Sequence, residues 1–225
     1  MFKKFFLTLC FCLFSMSTIF AQNWEPSEEA NYHSSIIKLS GDGYSGSGTV
    51  IKFIKDSAKY EGYYVGWILT ASHVVNNSET KFELFFSDGD VTENAVVVMK
   101  KSESDSFNDF ALIRGLIPKN IKPMEISTEN IPVGEEVEMC GYGSGQFRHW
   151  NAKYAGESMD SGGHIIFSWA IQGDSGGPII YKGKVVGVIC FGTGIKRYKD
   201  TPRVIVGPIY GSNVERIENS FNAAS

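Results

Sequence analysis

Residues 173–178 read Gly-Asp-Ser-Gly-Gly-Pro. With about 200 starting positions, average residue frequencies make that hexamer an accident only on the order of 10^-5 of the time. Glycine is needed there for reasons of space and rotation. Gly173 can turn its N–H toward that of Ser175, and Gly176 and Gly177 let another chain approach closely. The same letters satisfy Gly-x-Ser-x-Gly, the strand-to-helix elbow in which serine comes first along the chain, then an acid, then histidine. All four histidines here, His33, His73, His149 and His164, precede Ser175. That order excludes the elbow, and with it an α/β-hydrolase.

A serine hydroxyl is a weak nucleophile unless a base stands beside it and backbone donors receive the oxyanion that forms. Two upstream segments supply partners of the right chemistry. Ile68-Leu69-Thr70-Ala71-Ser72-His73-Val74-Val75 ends an apolar, strand-like run in small residues and a histidine. Asn108-Asp109-Phe110-Ala111-Leu112-Ile113-Arg114 places an acid at the mouth of another such run, with Asp105 as a nearby rival. The chain order is His73, Asp109, Ser175, at spacings of 36 and 66 residues.

On these three motifs the chain resembles the trypsin/chymotrypsin-like serine peptidases, across nearly all of its length after the first residues. The resemblance implies an all-β fold of two six-stranded antiparallel barrels with a C-terminal helix. It implies a triad in which His73 is general base and then acid, Asp109 fixes its tautomer, and Ser175 attacks. The Gly173 and Ser175 amides would form the oxyanion hole. Neither barrel should be active alone.

The first 21 residues read as an export signal: Lys3 and Lys4, then an almost wholly apolar Phe5–Phe20, then Ala21 before Gln22. The apolar run is short for a membrane span, which needs about 20 residues. The expectation is therefore a secreted or periplasmic protein without stable membrane association. Residues 22–225 form the peptidase domain, long enough for one large all-β domain or two small barrels. With Lys3 and Lys4 gone, 21 basic residues become 19 against 25 acidic ones, a net charge of −6. Nothing in that balance favours nucleic acid. Protein or peptide substrates are the expected partners, acted on by a monomer.

Turn-punctuated β-rich runs recur along the chain. Strands are expected near 35–40, 47–53, 63–70, 81–86, 91–99 and 110–114, in a first barrel spanning about 30–117. From Gly115 to Gly134, Pro118, Pro123 and Pro132 mark an extended connector. A second barrel, about 118–212, follows with strands near 136–140, 150–155, 165–169, 178–181, 184–191 and 204–210. Val214, Ile217 and Phe221 then repeat at helical spacing after Asn213, a fitting N-cap, so a closing helix is expected over about 213–222.

Cys140 and Cys190 remain after export, either as one disulfide or as two buried thiols. In the resembled family Asp174 pairs with a new N-terminus released by cleavage. No Ile-Val-Gly-Gly start exists here, nor any Lys or Arg between Gln22 and Lys38, so direct folding into the active form is expected. If family register holds, Trp169 occupies the floor of the primary specificity pocket, where it would favour small residues; a core tryptophan is the plainer reading. Cys190-Phe191-Gly192 would pair with substrate backbone as an edge strand, with a thiol in place of the usual hydroxyl facing the acid. Gly192 and Gly207 would leave pocket walls open, unless Arg203 takes the latter position and selects acidic side chains. His33, His149 and His164 lack metal-site spacing and read as solvated loop or edge-strand residues. No metal or other cofactor is called for.

Two other readings compete. A peptidase-like binding module without turnover would be expected to lack a triad member, and none is missing. A subtilisin-like hydrolase ordered Asp42, His73, Ser175 would require many helices, and one helical pattern is evident.

Overall fold

The computed structural model describes residues 32–41, 44–54, 60–75, 81–100, 109–157, 163–192, 204–208, 217 and 219–221. The signal segment 1–21, Asp42, Asp105, Arg203, Asn213 and Val214 lie outside the described residues.

Six strands, β1 (Ile36–Gly41), β2 (Tyr44–Phe53), β3 (Tyr63–Thr70), β4 (Phe82–Phe85), β5 (Val91–Lys100) and β6 (Ala111–Pro118), close into a ring ordered β1-β2-β3-β6-β5-β4. Every pairing is antiparallel, and Leu39 opposite Leu84 joins β1 to β4 and completes the circuit. The second ring uses β7 (Glu136–Gly141), β8 (Arg148–Glu157), β9 (His164–Phe167), β10 (Pro178–Tyr181), β11 (Lys184–Gly192) and β12 (Val204–Pro208). Its order, β7-β8-β9-β12-β11-β10, repeats the first strand for strand. Closure pairs every strand on both sides and removes exposed sheet edges.

The strands form where alternation and β-branched residues demand them. Ile179 and Ile180 show how two cores are served from one strand, because successive side chains point to opposite faces. Ile179 enters the second barrel with Val137, Met139, Ile166 and Ile189. Ile180 joins Val185, Val188 and Cys140 in a cluster continuous with the first barrel's core of Ile36, Leu39, Ile68, Leu69 and Ile113. The seam between the barrels is therefore packed hydrocarbon, and loops at its rim are held against one another.

Several strands outrun their expected lengths: β2 begins at Tyr44, β8 spans Arg148–Glu157, and β6 reaches Pro118, so the connector starts at Lys119 rather than Gly115. Pro118 is tolerated because it is the last residue of the pairing, opposite Tyr63 at the other strand's start. The connector is fastened to both barrels, Met124 N–H to Val50 O at 2.9 Å and Ser127 N–H to Val185 O at 2.8 Å. Near the C-terminus, Ile217 and residues 219–221 are helical, with Ile217 and Phe221 buried and Phe221 5.0 Å from the Trp67 ring. Ile217 and Phe221 of the expected apolar helix face thus rest on the first barrel.

Of the three remaining histidines, His149 is buried, whereas His33 and His164 are partly exposed. His149 is buried in β8 with its Nε2 2.8 Å from Glu138 Oε2, and His164 sits in β9 with its ring 5.0 Å from that of Tyr154. His33 stacks on Phe147 at 3.8 Å. In a closed barrel a position that looks like an edge in the sequence, as His149 does, becomes an interior strand position.

Candidate active site

β3 ends at Thr70, and the chain turns through a short 3-10 segment, Ser72–Val75, that carries His73. Asp109 lies just before β6, the strand paired to β3 along its full length with Thr70 opposite Ala111. That register brings the acid to the histidine. Asp109 Oδ2 is 2.6 Å from His73 Nδ1, and Asp109 Oδ1 accepts the His73 main-chain N–H at 2.9 Å. The Asp109 side chain is 6% exposed and that of His73 33%, so the acid is sequestered while the ring reaches solvent. A carboxylate gripping Nδ1 fixes the ring's orientation and its tautomer.

Ser175 arrives from the second barrel, on the loop before β10. Its carbonyl accepts the Ser47 N–H from β2 at 2.7 Å, and the next residue, Gly176, donates to Ile189 O at 2.8 Å. Two glycines allow the close approach. A Cβ on Gly46 would lie 2.6 Å from Val74 Cγ1 and 3.0 Å from Ser175 O, so this position separates the histidine turn from the serine loop. A Cβ on Gly176, at φ +85, would lie 2.1 Å from Ser47 O and 3.1 Å from Ala71 N. Ser175 itself is half-buried.

Residues 171–174 form a turn with Asp174 N–H on Ile171 O at 3.0 Å and Gly173 at φ +103. That is the signature of a type II turn, which needs glycine at its third position. The Gln172 carbonyl is held by the Ser144 N–H at 2.9 Å. Across a trans peptide N–H and C=O point opposite ways, so the Gly173 N–H faces away from Ser144. Neither it nor the Ser175 N–H donates to an acceptor among the described residues.

Asp174 is fully buried. In place of an N-terminal ammonium, the Arg148 guanidinium pairs with Oδ2, which also accepts the Ile171 N–H at 2.9 Å. Burial raises the Asp174 carboxyl above its ordinary range, opposed by the Ile171 N–H and by Arg148. Arg148 is itself covered by Trp150, its guanidinium 4.4 Å from the ring centroid. Sequence reading missed Arg148, whose partner is 26 residues away and belongs to a different element.

Cys190 is buried and reduced, its Sγ 3.6 Å from Asp109 main-chain O and 3.3 Å from Val188 O. The thiol therefore meets the acid's residue through backbone. Cys140 is likewise a free, buried thiol, and burial raises it well above the ordinary thiol range. Phe191 and Gly192 lie at the end of β11, paired with Ile205 and Val204. Trp169 is neither in a strand nor in the core: it follows β9 and is 57% exposed. Ser168 takes the interior place instead, accepting the Trp150 indole N–H at 2.7 Å.

Two closed antiparallel barrels thus carry an acid-held histidine on a turn of the first and a serine between glycine turns on a loop of the second. Residues 42–188 match the family model described as a trypsin-like peptidase domain. The chain belongs to the trypsin-like peptidase family. Among solved structures it is similar in fold to the serine endoprotease from Yersinia pestis, with a TM-score of 0.62 and 17% identity over 85% of this chain and 64% of that one. It thus spans less than two thirds of the Yersinia chain. It is also similar to the Rv3671c protease in its inactive form, with a TM-score of 0.56 and 22% identity over 83% of this chain and 88% of that one. The Ser343Ala mutant of Rv3671c from M. tuberculosis H37Rv, also inactive, gives 0.59 and 21% over 87% and 95%. No curated protein matches the chain.

Proposed function

We propose that the chain is an exported endopeptidase that cleaves protein or peptide substrates through an acyl-enzyme on Ser175. The observation that carries this reading is the double hold of Asp109 on His73, at 2.6 Å to Nδ1 and 2.9 Å to the main-chain N–H. A histidine so held presents Nε2 to a neighbouring hydroxyl. Ser175 Oγ attacks the scissile carbonyl and passes its proton to Nε2. The negative charge that develops on the carbonyl oxygen is received by the Gly173 and Ser175 N–H groups, donors each worth about 3–4 kcal/mol in the transition state. Collapse of the tetrahedral intermediate breaks the C–N bond, and the imidazolium delivers its proton to the departing amine. Water, deprotonated by the same Nε2, then attacks the ester carbonyl. Collapse of that second intermediate frees the new carboxyl end and returns the proton to Ser175.

Residues 190–192 at the end of β11 would hold the substrate backbone as an added strand. The Arg148 guanidinium on Asp174 supports a site that assembles without release of a new N-terminus. Residues 1–21 would direct export and be removed, leaving 22–225 as the working enzyme; among the described residues no helix is long and apolar enough to cross a membrane.

A fluorophosphonate probe tests the reading. It is expected to label wild type stoichiometrically and to fail on Ser175→Ala. Folded wild type that stays unlabelled and leaves a peptide library intact would make the chain a binding module instead.

A further inference from the structure

Ser47 is fully buried in β2, 126 residues before Gly173 in the chain, and each of its polar groups is engaged. Its hydroxyl donates to Gly173 O at 2.7 Å and accepts the Tyr142 N–H at 2.8 Å. Its main-chain N–H donates to Ser175 O at 2.7 Å, and its carbonyl accepts the Thr70 hydroxyl at 2.7 Å. A serine hydroxyl has one proton to give, and here it goes to the residue whose N–H donates to no described acceptor.

We propose that Ser47 is a positioning residue for the oxyanion donors, its hydroxyl fixing the Gly173 peptide across the seam between the barrels. The inference rests on the reading of Gly173 and Ser175 as those donors. Gly173 has no Cβ and sits at φ +103, so no side chain of its own restrains the peptides on either side of it. The preceding peptide is pinned through Gln172 O by Ser144, and the following one through Gly173 O by Ser47. Ser144 belongs to the second barrel's own loop, whereas Ser47 belongs to the first barrel. The geometry of the oxyanion turn is thus set in part from the opposite barrel. Deleting the hydroxyl leaves a buried carbonyl and a buried N–H, Tyr142's, without their partner. Unpaired buried groups are costly enough that the turn shifts to satisfy them. A shift of a few tenths of an ångström takes donors out of the narrow range in which they stabilise an oxyanion. Ser47 touches no substrate, so its loss should act on turnover and spare binding.

The test compares wild type, Ser47→Ala, Ser47→Cys and Ser47→Thr on one peptide taken from a cleavage library. Rates are expressed per active site, counted by fluorophosphonate incorporated at completion, so a variant that folds only in part is still scored. Cysteine keeps the side chain's size but donates poorly to a carbonyl, and threonine keeps the hydroxyl. The expected result is a kcat lower by about 10- to 100-fold in the alanine and cysteine variants. KM should stay within about threefold of wild type, and Ser47→Thr should recover much of the loss. Either Ser47→Ala or Ser47→Cys turning over within about twofold of wild type per site overturns the role. So does a loss that appears in KM instead of kcat. Wild type that neither cleaves nor reacts removes the peptidase reading beneath this one; active wild type with unaffected variants removes the Ser47 role alone.

Discussion

His73 Nδ1 lies 2.6 Å from Asp109 Oδ2, and the main-chain N–H of the same histidine donates to the other carboxylate oxygen at 2.9 Å. The acid thereby orients the ring and anchors the turn that carries it. Asp109→Asn keeps the shape but replaces one accepting oxygen with a donor, which either repels the His73 N–H or turns the ring to its other tautomer. Turnover of a cleavable peptide is expected to fall by about 10^4, with a matching slowdown in fluorophosphonate labelling and an unchanged circular dichroism spectrum. A variant retaining a tenth of wild-type turnover would mean that the acid has no catalytic part.

Arg148 compensates a carboxylate that burial would otherwise keep protonated. Arg148→Met leaves that charge uncovered, and breaking such a pair costs about 3–5 kcal/mol. The second substitution Asp174→Asn removes the stranded charge and should restore most of the stability in urea unfolding. The pH dependence follows from the sign. A carboxyl whose folded pKa is raised favours the fold at low pH, and that contribution is lost as pH rises through the folded value. Arg148→Met should therefore become less stable relative to wild type from acid toward neutral pH. A constant difference across that range would contradict the assignment.

Gly46 keeps the histidine turn and the serine loop apart by less than a methyl group's width. Gly46→Ala must displace Val74 or the Ser175 carbonyl. Overpacking of this kind costs about 1–3 kcal/mol, and here the movement falls on the two elements that must cooperate. Activity per folded molecule should drop along with the thermal midpoint. Loss of stability with full activity per site would show that Val74 alone yields.

His33 stacks on Phe147, and burial lowers its pKa below 6.5. A histidine depressed in the folded state contributes stability that is present above its unfolded pKa and lost as pH falls through the folded value. The urea midpoint of wild type should thus decline below about pH 6.5 more steeply than that of His33→Gln. Parallel curves would show that the ring charges freely in place.

Much of this arrangement can be read from the chain because the informative signals are local. β3 and β10 fall at their expected boundaries, 63–70 and 178–181, since nearly continuous apolar runs end in small or turn residues there. His73 and Asp109 each sit at the end of an apolar strand, a position visible in a window of eight residues. What sequence reading lacks are the partners brought near only by ring closure. Glu138 meets His149 because β7 and β8 are neighbours, so a polar residue that looks solvated is buried and paired. Arg148 and Ser47 carry no motif, since a guanidinium on a strand and a serine between glycines have no distinctive spacing. Trp169 misleads for the opposite reason: bulk and apolarity suggest the interior, yet β9 ends two residues earlier and the indole faces solvent. The matching strand order of the two rings also leaves no repeated residues, because a barrel asks only for apolar side chains inside and turns between strands.

Cys140 and Cys190 are both reduced and both buried, one raised far out of the titrating range by its surroundings. The described fold thus owes nothing to crosslinking, and its durability comes from packing and from ladders that close on themselves. Dithiothreitol or glutathione, which unravel many small disulfide-bonded proteins, should leave this one's melting curve and its turnover where they were. The fold should therefore last as long in oxidising surroundings as in reducing ones.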